Sequence, residues 1–130
     1  MFGQNRYDTG VPIYIQIIQR IRKRIVSGEW QPGRRMAGVR ELAMEYGVNP
    51  NTMQRSLLEL EQQGLVFAQR TAGRYITDDV SLIDAVRESM AEEIIEAFLV
   101  DIFSMGYTEE QIKKQLESAL ADHALRRKET

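Results

Sequence analysis

The chain lacks cysteine entirely and has a single histidine and no long apolar run among its 130 residues. The absence of cysteine excludes disulfides, thiolate zinc sites and cysteine nucleophiles. The lone His123 cannot hold a metal ion without carboxylate partners, so we interpret it as a surface residue and predict neither metal nor cofactor. Because no stretch of about 20 apolar residues is present, we expect no membrane-spanning helix.

The chain also lacks the short patterns that mark common enzymes. It contains no P-loop, no glycine pattern for dinucleotide binding and no Ser/His/Asp arrangement. The acidic residues Glu92, Glu93 and Glu96 are interpreted as a polar helix face. We therefore predict that the protein is not an enzyme. The first ten residues are polar and lack the apolar core of a signal peptide, so we expect a cytoplasmic location.

Charge is distributed unevenly along the chain. Residues 1–77 contain 11 Lys and Arg against 6 Asp and Glu, a net charge of +5, whereas residues 78–130 contain 6 against 13, a net charge of −7. A basic half suits contact with phosphates, from which an acidic half would be repelled. Two ordinary solvated surfaces would show the same charges, so this asymmetry alone leaves both interpretations open.

Two helices are predicted in the first part of the basic half. In residues 12–27, isoleucine recurs at every fourth position from Ile13 to Ile25 and forms an apolar stripe. Residues 39–46 predict a short second helix, which Gly47 ends because glycine accepts the left-handed backbone of a helix C-terminus. A Pro-Gly turn lies between these two helices.

The next segment predicts a third helix over residues 50–63, with a polar exposed face. Asn49 is a favourable N-cap, and the proline that follows suits the first helical position because it has no N–H to lose. Asn51, Thr52 and Arg55 lie near the helix start on its exposed side. Their amide, hydroxyl and guanidinium groups bond base edges and phosphates, so the segment is typical of a DNA recognition helix.

A β-hairpin is predicted over residues 65–77. Two short segments alternate in side-chain character, and Gly73 can supply a positive φ in the turn that joins them. Arg70 and Arg74 flank the tip. A helix–turn–helix followed by such a hairpin is a winged helix–turn–helix, which we assign to residues 1–77.

Residues 78–130 predict two amphipathic helices, the second of which starts at a Thr108–Gln111 capping box. The expected fold is therefore mostly α with a small β-hairpin: a winged helix–turn–helix domain followed by a two-helix C-terminal extension. The apolar stripes of this tail must pack against the winged domain or against a second copy, and we favour self-association. The residues assigned to dimerisation are Ile83, Val86, Met90, Ile94, Phe98, Ile102, Ile112, Leu116 and Leu120.

This order of elements resembles the GntR family of bacterial transcription regulators. The resemblance extends over residues 11–77, and the short tail is similar to that of the YtrA subfamily, in which it serves dimerisation. The residues that carry it are Pro12-Ile13-Tyr14-Ile15-Gln16-Ile17, Ile25-Val26-Ser27-Gly28-Glu29-Trp30-Gln31-Pro32-Gly33, Val39-Arg40-Glu41-Leu42-Ala43, Gly47-Val48-Asn49-Pro50-Asn51-Thr52, Leu57, Leu60, Gly64-Leu65-Val66, Arg70 and Gly73.

The resemblance implies roles for individual residues. Arg40, at the start of the second helix, matches the family's DNA-contacting arginine, and Arg35 occupies a position that approaches the DNA backbone. Gly73 matches the wing glycine that lets the backbone enter the minor groove. Together with the recognition helix and the wing, the predicted DNA-binding set is Arg35, Arg40, Asn49, Asn51, Thr52, Arg55, Arg70, Gly73 and Arg74.

The chain departs from the family pattern at four places: Ala37-Gly38 replaces Pro-Ser, Asn49-Pro50 replaces Ser-Arg, Thr71 replaces the first wing glycine, and Arg74-Tyr75 replaces Thr-Phe. Structural alternatives also stay open for the assigned side chains. Arg40 could pair with a neighbouring glutamate, Arg55 could be a solvated helix residue, and Asn51 and Thr52 could serve only as caps.

We therefore predict a homodimeric, sequence-specific DNA-binding transcription regulator, most simply a repressor. It would place recognition helix 50–63 in a major groove and wing 65–77 near the adjacent minor groove. Two-fold symmetry would require an inverted-repeat operator in double-stranded DNA. A small-molecule effector at the dimer interface is left open. The alternative is a winged-helix protein-interaction module that docks partners through its acidic helical tail.

Overall fold

The computed structural model describes residues 6–129. The first five residues, which belong to the predicted polar N-terminal segment, and Thr130 lie outside this range. The fold class is confirmed: a mostly helical chain with a small antiparallel hairpin. The elements in order are α1 Ile13–Val26, α2 Val39–Tyr46, α3 Pro50–Gln62, β1 Val66–Gln69, β2 Gly73–Ile76, α4 Val80–Ser104 and α5 Glu109–Glu129. Within residues 6–129, no helix combines the length and apolar character needed to span a membrane.

The chain divides into two compact units, the first of which reaches to Ser89 while the second begins at Met90. The division falls inside α4, because the first turns of that helix pack with the winged domain. Ile83 is buried, and Arg87 donates a hydrogen bond to the carbonyl of Val26, where α1 ends. The first unit therefore extends beyond the boundary predicted from the sequence.

The core of the first unit takes side chains from α1, α2, α3 and the hairpin. The predicted isoleucine stripe of α1 is buried from Ile17 to Ile25, but Ile13 is exposed because it is the first residue of the helix. Every element of the unit thus contributes to a single core. Its most deeply buried apolar residues are Ile17, Ile21, Ile25, Leu42, Met53, Leu57, Leu60, Leu65, Val66 and Ile76.

The turn between α2 and α3 forms as the sequence predicts. Gly47 ends α2 with a left-handed φ of 67°. Asn49 then caps α3, since its Oδ1 accepts a hydrogen bond from the N–H of Asn51 at 2.7 Å. Pro50 occupies the first helical position. Local residues therefore determine the angle at which the chain enters α3.

The hairpin gains a third short segment that the sequence did not predict. Arg35 forms an isolated antiparallel bridge with Tyr75, and the N–H of Met36 donates to the carbonyl of Arg74 at 2.8 Å. Gly73, at the start of β2, has the expected positive φ of 89°. The added bridge attaches the segment before α2 to the edge of the wing.

The second unit contains the remainder of α4 and α5. Thr108 and Gln111 form the predicted capping box: each backbone N–H donates to the other's side-chain oxygen, at 2.9 and 3.2 Å. Ile112 is buried, at 4% exposure. Most large apolar side chains of this unit are instead open to solvent. They are Ile94, Ile95, Val100, Phe103, Met105, Leu116, Leu120 and Leu125.

The cap of α3 leads to a stability prediction. Replacing Asn49 with Ala should lower the free energy of unfolding by about 1 kcal/mol, because the Asn51 N–H then loses its acceptor. Urea denaturation followed by Trp30 fluorescence measures this, since Trp30 is the only tryptophan and is buried in the first unit. Asn49→Ser is the control and should stay near the parent stability; equal losses in both variants would contradict a capping role.

Candidate nucleic-acid interface

Arg40 on α2 and Pro50 at the start of α3 line the same surface hollow. Arg40, the second residue of α2, is exposed. It lines an open hollow with Pro50 of α3, and Met44 and Val48 form much of the remaining wall. Among residues 6–129 the Arg40 side chain makes no ion pair. The pairing with a neighbouring glutamate that the sequence left open is therefore not seen within that range.

The polar residues of α3 differ in their surroundings. Asn51 is exposed and Thr52 is half-buried. The guanidinium of Arg55 lies 3.8 Å from the centre of the Tyr14 ring on α1, which is a cation–π contact. Arg55 is thus held on the flank of α3 that faces α1, and it is not simply a solvated residue.

Ser56 connects this flank of α3 to α1 through a hydrogen bond. Its hydroxyl is fully buried and lies within hydrogen-bond distance of the carbonyls of Tyr14 and Thr52, at 3.2 and 3.0 Å. A buried hydroxyl without an acceptor would cost about 1–3 kcal/mol. The contact therefore fixes the start of α1 against the first two turns of the predicted recognition helix.

Gln54 is a candidate that the sequence reasoning missed. It lies one turn beyond Pro50 and therefore on the side of α3 that borders the hollow. Glu61, seven residues further along this side, meets the wing through Arg74. The signal in the sequence is the spacing of four from Pro50, whereas the predicted residues of α3 lie opposite the apolar stripe. A glutamine amide can bond an adenine edge at two points.

In the wing, Gly73 lies beside the side chain of Arg35. The guanidinium of Arg35 lies 3.4–3.9 Å from the position that a Cβ would take on Gly73. Because Gly73 has a positive φ, a residue with a side chain would be strained there, although its Cβ would make only ordinary van der Waals contact with Arg35. Arg70, near the tip, is exposed. The structure thus brings two of the predicted DNA-binding residues, Arg35 and Gly73, into direct proximity.

Arg74 has a different setting from Arg70. Its Nε lies 2.6 Å from Oε1 of Glu61, and the two side chains are only 18% and 22% exposed. The guanidinium is directed back toward α3, not outward from the tip. This geometry favours a structural role in which Arg74 joins the wing to α3, while its contact with DNA stays a prediction.

Arg24 on α1 contacts the C-terminal end of α2. It forms ion pairs with Glu29 and Glu45 at 2.7 and 2.6 Å, donates to the Tyr46 hydroxyl and lies over the Trp30 ring. Burial raises the pKa of Tyr46 above its usual value, although Arg24 acts in the opposite direction. The phenol therefore stays protonated at neutral pH, and this cluster holds the C-terminal end of α2.

No metal centre accompanies these elements. Across residues 6–129, no group of three or more His, Asp or Glu side chains is arranged to hold a metal ion, and His123 is exposed. The first unit contains a helix–turn–helix with an attached wing, and exposed arginines lie on the helix–turn–helix and on the wing. Such a combination defines a winged-helix DNA-binding protein.

The family follows from comparison with known proteins. Residues 13–76 match the model of the gntR family of bacterial regulatory proteins. The regulator YhcF from Bacillus subtilis is 32% identical over 114 residues, which cover 88% of this chain and 94% of YhcF. The repressor YtrA from the same organism is 30% identical over 116 residues, covering 88% of each chain. The chain belongs to the GntR family of DNA-binding transcription regulators, and it is not an enzyme.

Solved structures agree with this assignment. A GntR family transcriptional regulator from Listeria monocytogenes has a TM-score of 0.82 and 33% identity, and the match covers 86% of this chain and 98% of that one. The DNA-binding domain of AraR in complex with operator ORX1 has a TM-score of 0.50 and 25% identity, over 52% of this chain and 81% of that one. The winged helix–turn–helix fold is thus confirmed.

The different settings of Arg70 and Arg74 lead to opposite expectations for two alanine variants. Arg70→Ala should leave stability unchanged but reduce the slope of log affinity against log salt by about 1, because one phosphate contact is lost. Arg74→Ala should mainly lower the free energy of unfolding, since Glu61 then stays half-buried without its partner.

Both variants can be measured by urea denaturation and by DNA titration at several salt concentrations. The double change Glu61→Gln with Arg74→Gln is the control for the ion pair, because it removes both charges and leaves no unpaired charge between the wing and α3. A marked loss of stability for Arg70→Ala, or an unchanged stability for Arg74→Ala, would contradict the assigned roles.

Proposed function

We propose that the protein is a homodimeric transcription repressor that binds an inverted-repeat operator. The observation that carries this is the exposed Arg40 of α2, which lines the same hollow as Pro50, the first residue of α3. A helix–turn–helix that exposes an arginine beside the start of its recognition helix is suited to base contact in the major groove.

Each part of the first unit receives a role in this proposal. α3 enters the major groove, and Arg40 reads a guanine through O6 and N7, the commonest specific contact made by arginine. Gln54 reads a base further along the same side of α3. Asn51 and Thr52 contact the DNA backbone near the start of α3, while Asn49 contributes chiefly through its cap.

The wing and the flanks of α3 then position the protein on the duplex. The wing approaches the adjacent minor groove at Gly73, and Arg35 binds a phosphate beside it. Arg70 adds a second cation near the tip of the wing. Arg55 bonds a phosphate from its place over Tyr14. Such contacts fix the register and add affinity without reading sequence.

Dimerisation is assigned to the helical tail, most of which belongs to the second unit. Ile94 is 63% exposed, Leu116 41% and Leu120 67%. We infer that these exposed side chains belong to one apolar surface, which is typical of a protein-interaction site, and that a second copy buries it under two-fold symmetry. Two of the predicted contact residues, Ile83 and Ile112, are already buried within the single chain, so the proposed contact is assigned to the other seven.

The remaining predicted contact residues lie between these extremes. Val86, Met90, Phe98 and Ile102 are half-buried in the single chain, so a dimer would complete their burial. Acidic residues dominate this part of the chain, whereas the winged unit is basic. The charges therefore favour DNA contact through the winged unit and protein contact through the tail.

Repression is proposed because YtrA carries the name of a repressor and because a regulator bound over a promoter blocks transcription without further contacts. Binding to chromosomal DNA implies a cytoplasmic location in a bacterium. Whether a small-molecule effector binds at the dimer interface stays open. The alternative of a protein-interaction module is less favoured, since it gives no role to the exposed arginines of α2 and the wing.

The proposal is tested by selecting operator sequences. Purified protein is incubated with fragments of the source genome at near-physiological salt, and the retained DNA is sequenced. We expect one enriched inverted repeat, whose half-site spacing reports the distance between the two recognition helices. Retention of random DNA that vanishes as salt rises would indicate phosphate contact alone and would overturn sequence-specific regulation.

Arg40 gives the most specific prediction for DNA binding. Arg40→Ala should weaken binding to the selected operator by about 1–3 kcal/mol and relax the preference for one guanine, because the bidentate contact is lost. Titration of operator duplexes with each base at that position measures both effects. Lys23→Ala removes an equal charge from the last turn of α1 and is the control. Equal losses in the two variants would mean that Arg40 acts only through its charge.

The dimer is tested at Ile94. Ile94→Glu should convert the dimer to a monomer in sedimentation velocity, because a carboxylate would be buried at the contact without a partner. Binding to the inverted repeat should weaken at the same time. Ser89→Glu adds the same charge at an exposed position of the same helix and should leave the dimer intact. A dimeric Ile94→Glu variant would contradict the assignment of this surface.

A further inference from the structure

We propose that the hollow between α2 and α3, lined by Arg40, Ala43, Met44, Val48 and Pro50, receives the 5-methyl group of a thymine in the operator. This inference rests on the proposed function and extends it to the base that the hollow selects. Apart from Arg40, none of the residues that line the hollow belongs to the predicted DNA-binding set.

The hollow is unusual for its apolar walls at an exposed position. Met44 is 69% exposed although it lies on an 8-residue helix with a buried side. It follows Arg40 by one turn and therefore points to the same side of α2. Pro50 is exposed and Val48 is half-buried. Three apolar side chains thus surround an opening beside an arginine that is free to bond a base.

The chemistry of the major groove restricts what such a surface can contact. Base edges there present hydrogen-bond donors and acceptors, with the thymine methyl as the one apolar group. A proline has neither an N–H nor a polar side chain, so it cannot replace the water that a polar edge loses. Covering a polar edge with these walls would leave that edge without a hydrogen bond, at a cost. A thymine methyl can be covered without that cost.

The position of the hollow limits the position of the thymine. Residues four apart on a helix have their Cβ atoms about 5–6 Å from each other, and successive bases of a strand are spaced by about 3.4 Å along the duplex. If Arg40 reads a guanine, Met44 and Pro50 therefore reach one or two base steps away. The inference is a thymine within about two steps of that guanine in each half-site.

Uracil provides the test, because it differs from thymine only by lacking the methyl group. The same random DNA library is copied with dTTP in one pool and with dUTP in the other, and each pool is selected with the full chain. The thymine preference near the Arg40-dependent guanine should appear in the first pool and disappear in the second. The guanine preference should persist in both.

Titration then measures the size of the effect. Replacing the single thymine of each half-site with deoxyuridine should weaken binding about fourfold per half-site, which corresponds to about 0.8 kcal/mol for one buried carbon group. A double-variant cycle assigns that effect to the hollow. In Met44→Ala combined with Pro50→Ala, the ratio of thymine to uracil affinity should fall close to one.

The control for this cycle is Val80→Ala, which shortens another exposed apolar side chain, 56% exposed, outside the hollow. It should retain the fourfold ratio. Because the measured quantity is a ratio between two DNAs for one protein, a general loss of stability would not change it, and sedimentation velocity verifies that each variant is still a dimer, so that the ratio per half-site can be compared. Trp30 fluorescence confirms that each variant is folded.

The outcomes separate the two proposals. A selected inverted repeat whose affinity is unaffected by uracil near the Arg40-dependent guanine would overturn the thymine site and leave the regulator intact. A fourfold effect that persists in the double variant would also overturn it, because another residue would then read the methyl. Failure to select any repeat from the dTTP pool would overturn the proposed function and this inference with it.

Discussion

The burial of one side of α3 against α1 is the constraint on which the rest of the structure depends. Met53, Leu57 and Leu60 are inaccessible to solvent, and between them the Ser56 hydroxyl meets the carbonyl of Tyr14. A helix held by both an apolar stripe and a buried hydrogen bond cannot rotate about its axis without losing either packing or a polar partner. The orientation of every exposed side chain on α3 follows from this one contact.

Local chemistry explains why so much of the fold could be predicted from the sequence. Three local features are present as predicted: the cap at Asn49, the left-handed Gly47 and the capping box at Thr108. Each of them depends only on residues within four positions of itself. The apolar stripe of α1 was also readable, since helical spacing reports which side is buried. The stripe includes Ile13, which is exposed in the structure, because a spacing pattern does not show where the core ends.

The candidate site was harder to predict because its details come from residues far apart in the chain. Arg55 meets Tyr14, Arg74 meets Glu61, and Arg35 bridges the edge of β2. No local spacing encodes such partners. The sequence could therefore supply a set of arginines but could not separate those held in structural contacts from those left exposed. Gln54 was missed for the related reason that the side of α3 bordering α2 is defined only once both helices are placed.

Pro50 affects which groups at the start of α3 are available to bind a DNA phosphate. Helix N-termini commonly bind phosphate through their free backbone N–H groups. In α3 the first of these donors is absent because residue 50 is a proline, and the next, on Asn51, is already occupied by the Asn49 side chain. Fewer backbone N–H groups at the start of α3 are therefore available to bind an anion. In the proposed complex, attachment to the phosphodiester backbone therefore comes chiefly from side chains, and phosphate contact and base reading are divided between different groups.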